Sequence, residues 1–256
     1  MIALVDGDIV AYVNAASAES DPLEIALLRA DKQMRKILDY LNVSSYKVFV
    51  SGGQNFRYEI NPNYKANRAD IPSPIHRKAC HQFLIDEWKA EETDGYEADD
   101  ALGCFQREDT IICSLDKDLL MIPGRHYSWP ITRHGKVIRD HIVQTVSYID
   151  GIKHLYKQSL IGDTADNIFG VERIGKAKAA KIIDPLTTET DMYRIALSHY
   201  VDEVIKNNMD KDTDVYTLKN QVESAKDRFI MNLDCLWIWR QMGITWTIRS
   251  EELVNG

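Results

Sequence analysis

Long hydrophobic runs are missing from this sequence. None approaches ~18 residues, so a membrane-spanning helix is not expected. The opening "MIALVDGD" has neither a basic segment nor an extended apolar stretch, so no secretory signal is read there and a cytoplasmic location is expected. Cysteine is scarce. Cys80, Cys104, Cys113 and Cys235 form no CxxC pair, which argues against a disulfide framework or zinc ribbon and for buried, reduced thiols. The seven histidines show no HxH or HExxH spacing, so an imidazole metal site is unsupported. Positive charge is also short, with a net charge of −8. That deficit disfavours a nucleic-acid partner only if the acid is spread evenly, and it is not.

With 45% hydrophobic and 27% charged residues in 256, the chain has the composition and length of a folded protein with a sizeable core. "IALV" (2–5), "YKVFV" (46–50) and "TIICS" (110–114) read as buried strands. A helix follows "DPLE" (21–24), with Asp21 as its cap, Pro22 at its first position and Glu24 at its third. Another spans 73–90, capped by Ser73. "HYSW" and "KVIR" suggest a hairpin at 126–139, and from 145 onward the spacing is helical. Strands alternating with helices predict an α/β fold with a mostly parallel central sheet flanked by helices. This core occupies 1–150, and a helical lobe occupies 151–256.

Carboxylates collect where such folds place function, at the carboxyl ends of the strands. Asp6 ends the first strand. "YEADD" holds Glu97, Asp99 and Asp100, "SLDKDLL" holds Asp116 and Asp118, and "LIGDTADNI" holds Asp163 and Asp166. Taken singly, acids at i and i+3 are ordinary helix caps or solvated faces. Together they form an oxygen-only set of eight, suited to Mg²⁺ or Mn²⁺. Two such ions about 4 Å apart can activate water and stabilise the leaving oxygen of a phosphodiester.

Two other motif matches compete. "DGDIV" (6–10) fits the nucleophile motif of haloacid dehalogenase-type phosphatases, with Asp6 as nucleophile and Asp8 as general acid, and with Ser114, Lys153 or Lys157, and "GDTAD" available for the later motifs. It leaves "EADD" and "DKD" without a role. "GVERIGKA" (170–177) matches a phosphate-binding loop, but Ala177 replaces its Ser or Thr and no strand precedes it. The same segment reads better as a helix–hairpin–helix near 159–183. There Gly170 and Gly175 permit a tight turn, and Arg173, Lys176, Lys178 and Lys181 are placed to grip a DNA backbone. An ordinary basic helix surface is the plain alternative for this segment.

"LVDGD", "NPNYKANR", "YEADDALG", "SLDKDLL" and "LIGDTADNIFGVERIGKAKAAKII" resemble, in order from residue 2 to about 183, the successive motifs of the 5′-nuclease family. That family includes phage 5′–3′ exonucleases, flap endonucleases and the 5′-nuclease domain of bacterial DNA polymerase I. The resemblance implies a PIN-like or resolvase-like core, a helical arch over residues 66–96 and a helix–three-turn–helix element at the hairpin, with a K⁺ ion. By position, Asp6, Glu97 and Asp99 resemble ligands of a first metal site and Asp116, Asp118, Asp163 and Asp166 those of a second, with Asp100 between them. Lys65 corresponds to the lysine on the scissile phosphate, Arg68 to its basic companion and Tyr64 to a base-stacking residue.

The implied enzyme is a monomeric, two-metal 5′–3′ exodeoxyribonuclease or flap endonuclease acting on DNA 5′ ends, flaps or junctions. Primer removal or degradation of host DNA during phage replication are compatible roles, in the host cytoplasm if phage-encoded. Two positions depart from the pattern. Ser51 stands where the family often has Asp, and Val13 where some members have a basic residue. The remaining alternative is a catalytically silent DNA-junction-binding protein; the intact set of carboxylates weighs against it, and Ser51 is the one feature in its favour.

Overall fold

The computed structural model describes residues 1–69, 71–133, 136–208 and 213–250. The chain forms two compact units. One comprises Met1–Phe56, Pro72–Tyr148 and Ile238–Gly243; the other comprises Arg57–Ile71, Ile149–Trp237 and Ile244–Gly256. One passage of the chain between the units falls between Tyr148 and Ile149. Residues 57–71 and 238–243 each belong to the unit that sequence order does not suggest.

In the first unit, β1 (Ile2–Asp6) leads directly into α1 (Gly7–Ser17), then α2 (Leu23–Leu41) and β2 (Ser45–Ser51). The second unit takes the short α3 (Arg57–Ile60) and a 3₁₀ turn at Ala66–Arg68. The first unit resumes with α4 (Arg77–Trp88), β3 (Glu91–Thr93), α5 (Ala98–Phe105), β4 (Thr110–Cys113), a 3₁₀ turn at Asp118–Met121 and β5 (Gly124–Ser128). After it come β6 (Ile131–Arg133), β7 (Lys136–Arg139) and β8 (Ile142–Val146). The six-stranded sheet runs β3-β2-β1-β4-β5-β8, parallel except for β8.

Alternate strand residues go to opposite faces, and both sets are apolar, as a sheet covered on both sides requires. Ala3, Val5, Val48, Val50, Ile111 and Cys113 join a core built with α1, α2 and α4. Leu4, Phe49 and Ile112, also buried, belong to the other face, where the Phe49 ring meets Phe105 of α5 at 5.0 Å. Gly7 allows the sharp passage from β1 into α1, since a Cβ there would lie 2.5 Å from Val50 and 2.7 Å from the Phe49 carbonyl.

Several expected details change. Pro22, not Asp21, is the N-cap of α2, and the Asp21 carboxylate pairs with Arg29 at 2.7 Å. Helix α4 begins at Arg77 with His76 as its cap, so Ser73 lies outside it. "HYSW" is not half of a hairpin. Tyr127 and Trp129 are core residues, and β5 pairs with β4 and β8. "KVIR" does form a hairpin, but with Ile131–Arg133. Residues 77–93 of the expected arch are core helix and sheet edge, because Cys80, Leu84 and Trp88 are buried in the main cluster and β3 pairs with β2.

Residues 238–243 complete the first unit. The Trp239 amide donates to Asp100 Oδ1 at 3.0 Å, its ring lies near Phe56 and Tyr96, and the Arg240 guanidinium donates to the Met121 carbonyl at 2.7 Å.

The second unit continues with α6 (Tyr148–Ile161), the two-residue strands β9 (Gly162–Asp163) and β10 (Ile168–Phe169), α7 (Lys176–Ile183), α8 (Glu189–Asn208), α9 (Val215–Leu236) and α10 (Trp246–Arg249). Leu155, Tyr156, Tyr200, Phe229 and Trp246 are among its buried residues. The buried Arg57 fixes residues 57–71 here by donating to the Cys235 and Trp237 carbonyls, each at 2.8 Å. Among the described residues, no helix is long and apolar enough to cross a membrane, and all four cysteines are free and buried.

Candidate functional site

In the first unit, the acids gather at the carboxyl ends of β1, β2 and β4. Asp6 is 1% exposed. Its Oδ1 accepts the Ile9 amide at 3.0 Å, capping α1, and its Oδ2 accepts the Ser114 hydroxyl at 2.6 Å. Burial, then the Asp8 and Asp116 charges, push its pKa up to about 7 against the opposing pull of those two hydrogen bonds. Ser114 is the hub. Its Oγ also accepts the Asp116 amide at 2.9 Å, and Asp116 Oδ1 in turn accepts the Asp118 amide at 2.8 Å. The favoured sequence reading gave Ser114 no role, although a small hydroxyl residue between a buried strand and "DKD" marks the position.

Glu97 is the N-cap of α5 and forms a capping box with Asp100. Asp100 is fully buried and accepts the Glu97 amide at 3.1 Å as well as that of Trp239. Asp99 lies half-buried in the same first turn. Ser51 links these elements. Its Oγ accepts the Ala98 amide at 2.9 Å, and its own amide donates to Asp8 Oδ2 at 3.1 Å. The hydroxyl that stands where the family often has Asp is thus engaged with the start of α5. Asp8, outside the expected ligand set, brings a carboxylate to the end of β2.

The second unit laces "NPNYKANR" to "GDTADN". Asp166 accepts the Tyr64 hydroxyl at 2.8 Å and Arg68 Nη2 at 2.5 Å, with Lys65 Nζ at 3.9 Å. Asp163 Oδ1 accepts the Ala165 amide at 2.8 Å, and Oδ2 accepts the Gln158 side-chain amide at 3.0 Å. Asp163 and Asp166 therefore sit on a strand and a turn beyond the helix end. Lys65 has φ 55°, a left-handed backbone uncommon away from glycine. Tyr64 is 2% exposed, so it has no open ring face for a base and does not fit the stacking role.

Gly170 is required by contact, not by turn geometry. A Cβ there would stand 2.4 Å from the Gly162 nitrogen and the Leu160 carbonyl. Arg173 supplies the left-handed residue instead, with φ 60°. Gly175 is the N-cap of α7 and has open space around it. Arg173, Lys176, Lys178 and Lys181 are exposed, while Val171, Ile174, Ala179 and Ile183 face the core.

The donor chemistry fits a hard divalent cation, being carboxylate oxygen without thiol or imidazole. Among the described residues, no three acidic, imidazole or thiol side chains are already gathered closely enough to hold an ion. Most of these carboxylates rest instead on amides and hydroxyls.

The model of the 5′–3′ exonuclease N-terminal resolvase-like domain matches residues 2–144. The chain belongs to this 5′-nuclease family. It is 26% identical over 212 residues to DNA polymerase I of Caldicellulosiruptor bescii, covering 74% of this chain and 22% of that protein. To a 5′–3′ exonuclease of Buchnera aphidicola from Schizaphis graminum it is 27% identical over 210 residues, covering 75% and 72%. This nuclease-family chain thus spans about a fifth of the polymerase. Its fold is similar to that of the bacteriophage T5 flap endonuclease solved with DNA and metal ions, with TM-score 0.52, 16% identity, and coverage of 89% of this chain and 98% of that one.

Proposed function

We propose that this chain is a divalent-metal-dependent 5′ nuclease, hydrolysing DNA phosphodiesters at 5′ ends, flaps or junctions. The observation that carries the reading is the gathering of carboxylates at the carboxyl ends of β1, β2 and β4, with buried Asp6 joined through Ser114 to Asp116 and with Asp8 held at Ser51. Such a cluster favours an added cation, because ionising all its members otherwise leaves like charges unscreened. Family membership and the metal and DNA named with the T5 structure support the same reading.

Asp6, Glu97, Asp99, Asp100, Asp116 and Asp118 of the first unit, and Asp163 and Asp166 of the second, are assigned as metal-holding residues, for two ions. Bound Mg²⁺ or Mn²⁺ lowers the pKa of water and offsets charge on phosphodiester oxygens. Ser114 orients Asp6 and Asp116. Lys65 and Arg68 supply positive charge for the scissile phosphate, where charge develops during cleavage. The 170–175 turn and α7 are assigned to backbone contacts with duplex DNA as a helix–three-turn–helix element with K⁺. They carry no constellation for reading base edges, so specificity is for structure.

A labelled 5′-flap duplex, assayed with Mg²⁺ and then with EDTA, tests the proposal, with a generic phosphomonoester offered to the same preparation. Metal-dependent flap cleavage is expected. Turnover of the monoester alone would restore the phosphatase reading, which has no support from the family match. Tight flap binding without cleavage would identify the silent junction-binding protein that Ser51 leaves as the second reading.

A further inference from the structure

Two carboxylates, Asp6 and Asp8, flank Gly7, and they reach different strands. A Cβ at Gly7 would lie 2.5 Å from Val50 and 2.7 Å from the Phe49 carbonyl, so the first turn of α1 is pressed against the last residues of β2. Asp6 Oδ2 accepts the hydroxyl of Ser114, the residue after β4. Asp8 Oδ2 instead accepts the Ser51 amide at 3.1 Å, at the end of β2. Asp8 is not needed as a helix cap. Asp6 already caps α1 through the Ile9 amide, and the hydrogen bond of Asp8 runs to a different element. Nor are both its oxygens engaged. Each oxygen of Asp6 and of Asp100 accepts a hydrogen bond. Asp8 is half-buried, and its Oδ1 accepts none among the described residues.

The neighbouring strand ends indicate a use for that oxygen. β1 ends on Asp6, and Asp116 follows β4, but β2 ends on the neutral Ser51. Ser51 is occupied as a bracket. Its amide holds Asp8, its Oγ receives the Ala98 amide at the start of α5, and its carbonyl faces His81 Nε2 at 3.3 Å. A hard divalent cation is held according to the number and charge of its oxygen ligands. A carboxylate fixed through one oxygen by a neighbouring amide is oriented in advance for an ion on the other. We propose that Asp8 is a metal-holding residue of this carboxylate edge, supplying from α1 the charge that β2 lacks at Ser51. The assignment rests on the metal-dependent reading of the edge and adds a residue to it.

The test measures bound metal rather than turnover. Mn²⁺ is titrated into the full chain without DNA, and free Mn²⁺ is read by electron paramagnetic resonance. The proteins are the wild type, Asp8→Asn, the double variant Asp8→Asn/Ser51→Asp, and Glu24→Gln, which removes an exposed charge on α2 as a control. Asparagine still accepts the Ser51 amide, so Asp8→Asn should not lower the melting temperature in EDTA. Its Mn²⁺ affinity should fall by at least about tenfold, while Glu24→Gln matches the wild type. The double variant should regain most of the loss, because the carboxylate returns from β2. An Asp8→Asn isotherm equal to that of the wild type or of Glu24→Gln overturns the proposal, as does a wild type that binds no Mn²⁺. Weakened binding with a lowered melting temperature and no recovery in the double variant also overturns it, leaving Asp8 as a structural tie between α1 and β2. Flap cleavage separates this outcome from the proposed function. Mn²⁺ held through Asp8 by a protein that cleaves no flap would sink the nuclease reading and leave the assignment standing. Metal-dependent cleavage by a protein whose Mn²⁺ binding ignores Asp8 would do the reverse.

Discussion

Asp6 holds a proton up to about pH 7 in the fold, whereas the unfolded chain releases it near 3.8. Between those values the native state binds the extra proton, so this residue's contribution to stability falls as pH rises and levels off above about 7. In metal-free protein, Asp6→Asn should remove that slope. Urea unfolding in EDTA should show the variant gaining on the wild type, between pH 4 and pH 8, by on the order of a few kcal/mol, while flap cleavage is lost. Parallel pH profiles for the two proteins would refute this account. Ser51 gives a second prediction at this scale. Because its hydroxyl receives the first amide of α5, Ser51→Ala should cost about 1 kcal/mol, as a lost cap does. The Mg²⁺ midpoint for cleavage should stay where it is, and a shifted midpoint would return Ser51 to the ion's surroundings.

Among elements, the link from α6 to α7 is tightly constrained. Gly170→Ala places a methyl carbon against two backbone segments at 2.4 Å, which cannot yield as a flexible side chain can. A loss of about 1–3 kcal/mol and weakened duplex binding are expected from thermal melting and anisotropy; a variant with unchanged melting temperature would show that the two segments can part. The parallel strands β1, β2 and β4 were legible in the sequence because their burial leaves unbroken apolar runs, whereas β3, exposed at two of its three residues, and β5 were not. Strand β8 was not, since it is mostly exposed at the sheet edge and lacks an inward-facing apolar pattern. The acids were legible as clusters, and Asp6 as the end of a strand. The employment of Glu97 and Asp100 in a capping box looks identical in one dimension to a ligand pair. Ser114, Gln158 and the Ser51–Asp8 contact depend on pairings between distant segments, which no local period encodes. Tyr64 was misread because an aromatic residue beside basic ones looks the same whether its ring faces outward or lies buried.

For the molecule as a whole, sequence order and compact units disagree, and cutting the chain makes that measurable. A fragment ending at residue 148 lacks 238–243, leaving Asp100 without the Trp239 amide and the Met121 carbonyl without Arg240. Such a fragment should melt well below the full chain and bind hydrophobic dyes. Restoring a cooperative transition by adding a peptide spanning 236–245 would confirm the cause, and a fragment as stable as the whole chain would refute it. The same arrangement sets a schedule during synthesis. Ribosomes add roughly 5–20 residues per second, so the acidic edge of the sheet is made early and waits on the order of ten seconds for the strip that covers Asp100. A nascent chain in that interval carries an incomplete carboxylate edge, which closes over Asp100 only once residues 238–243 have emerged.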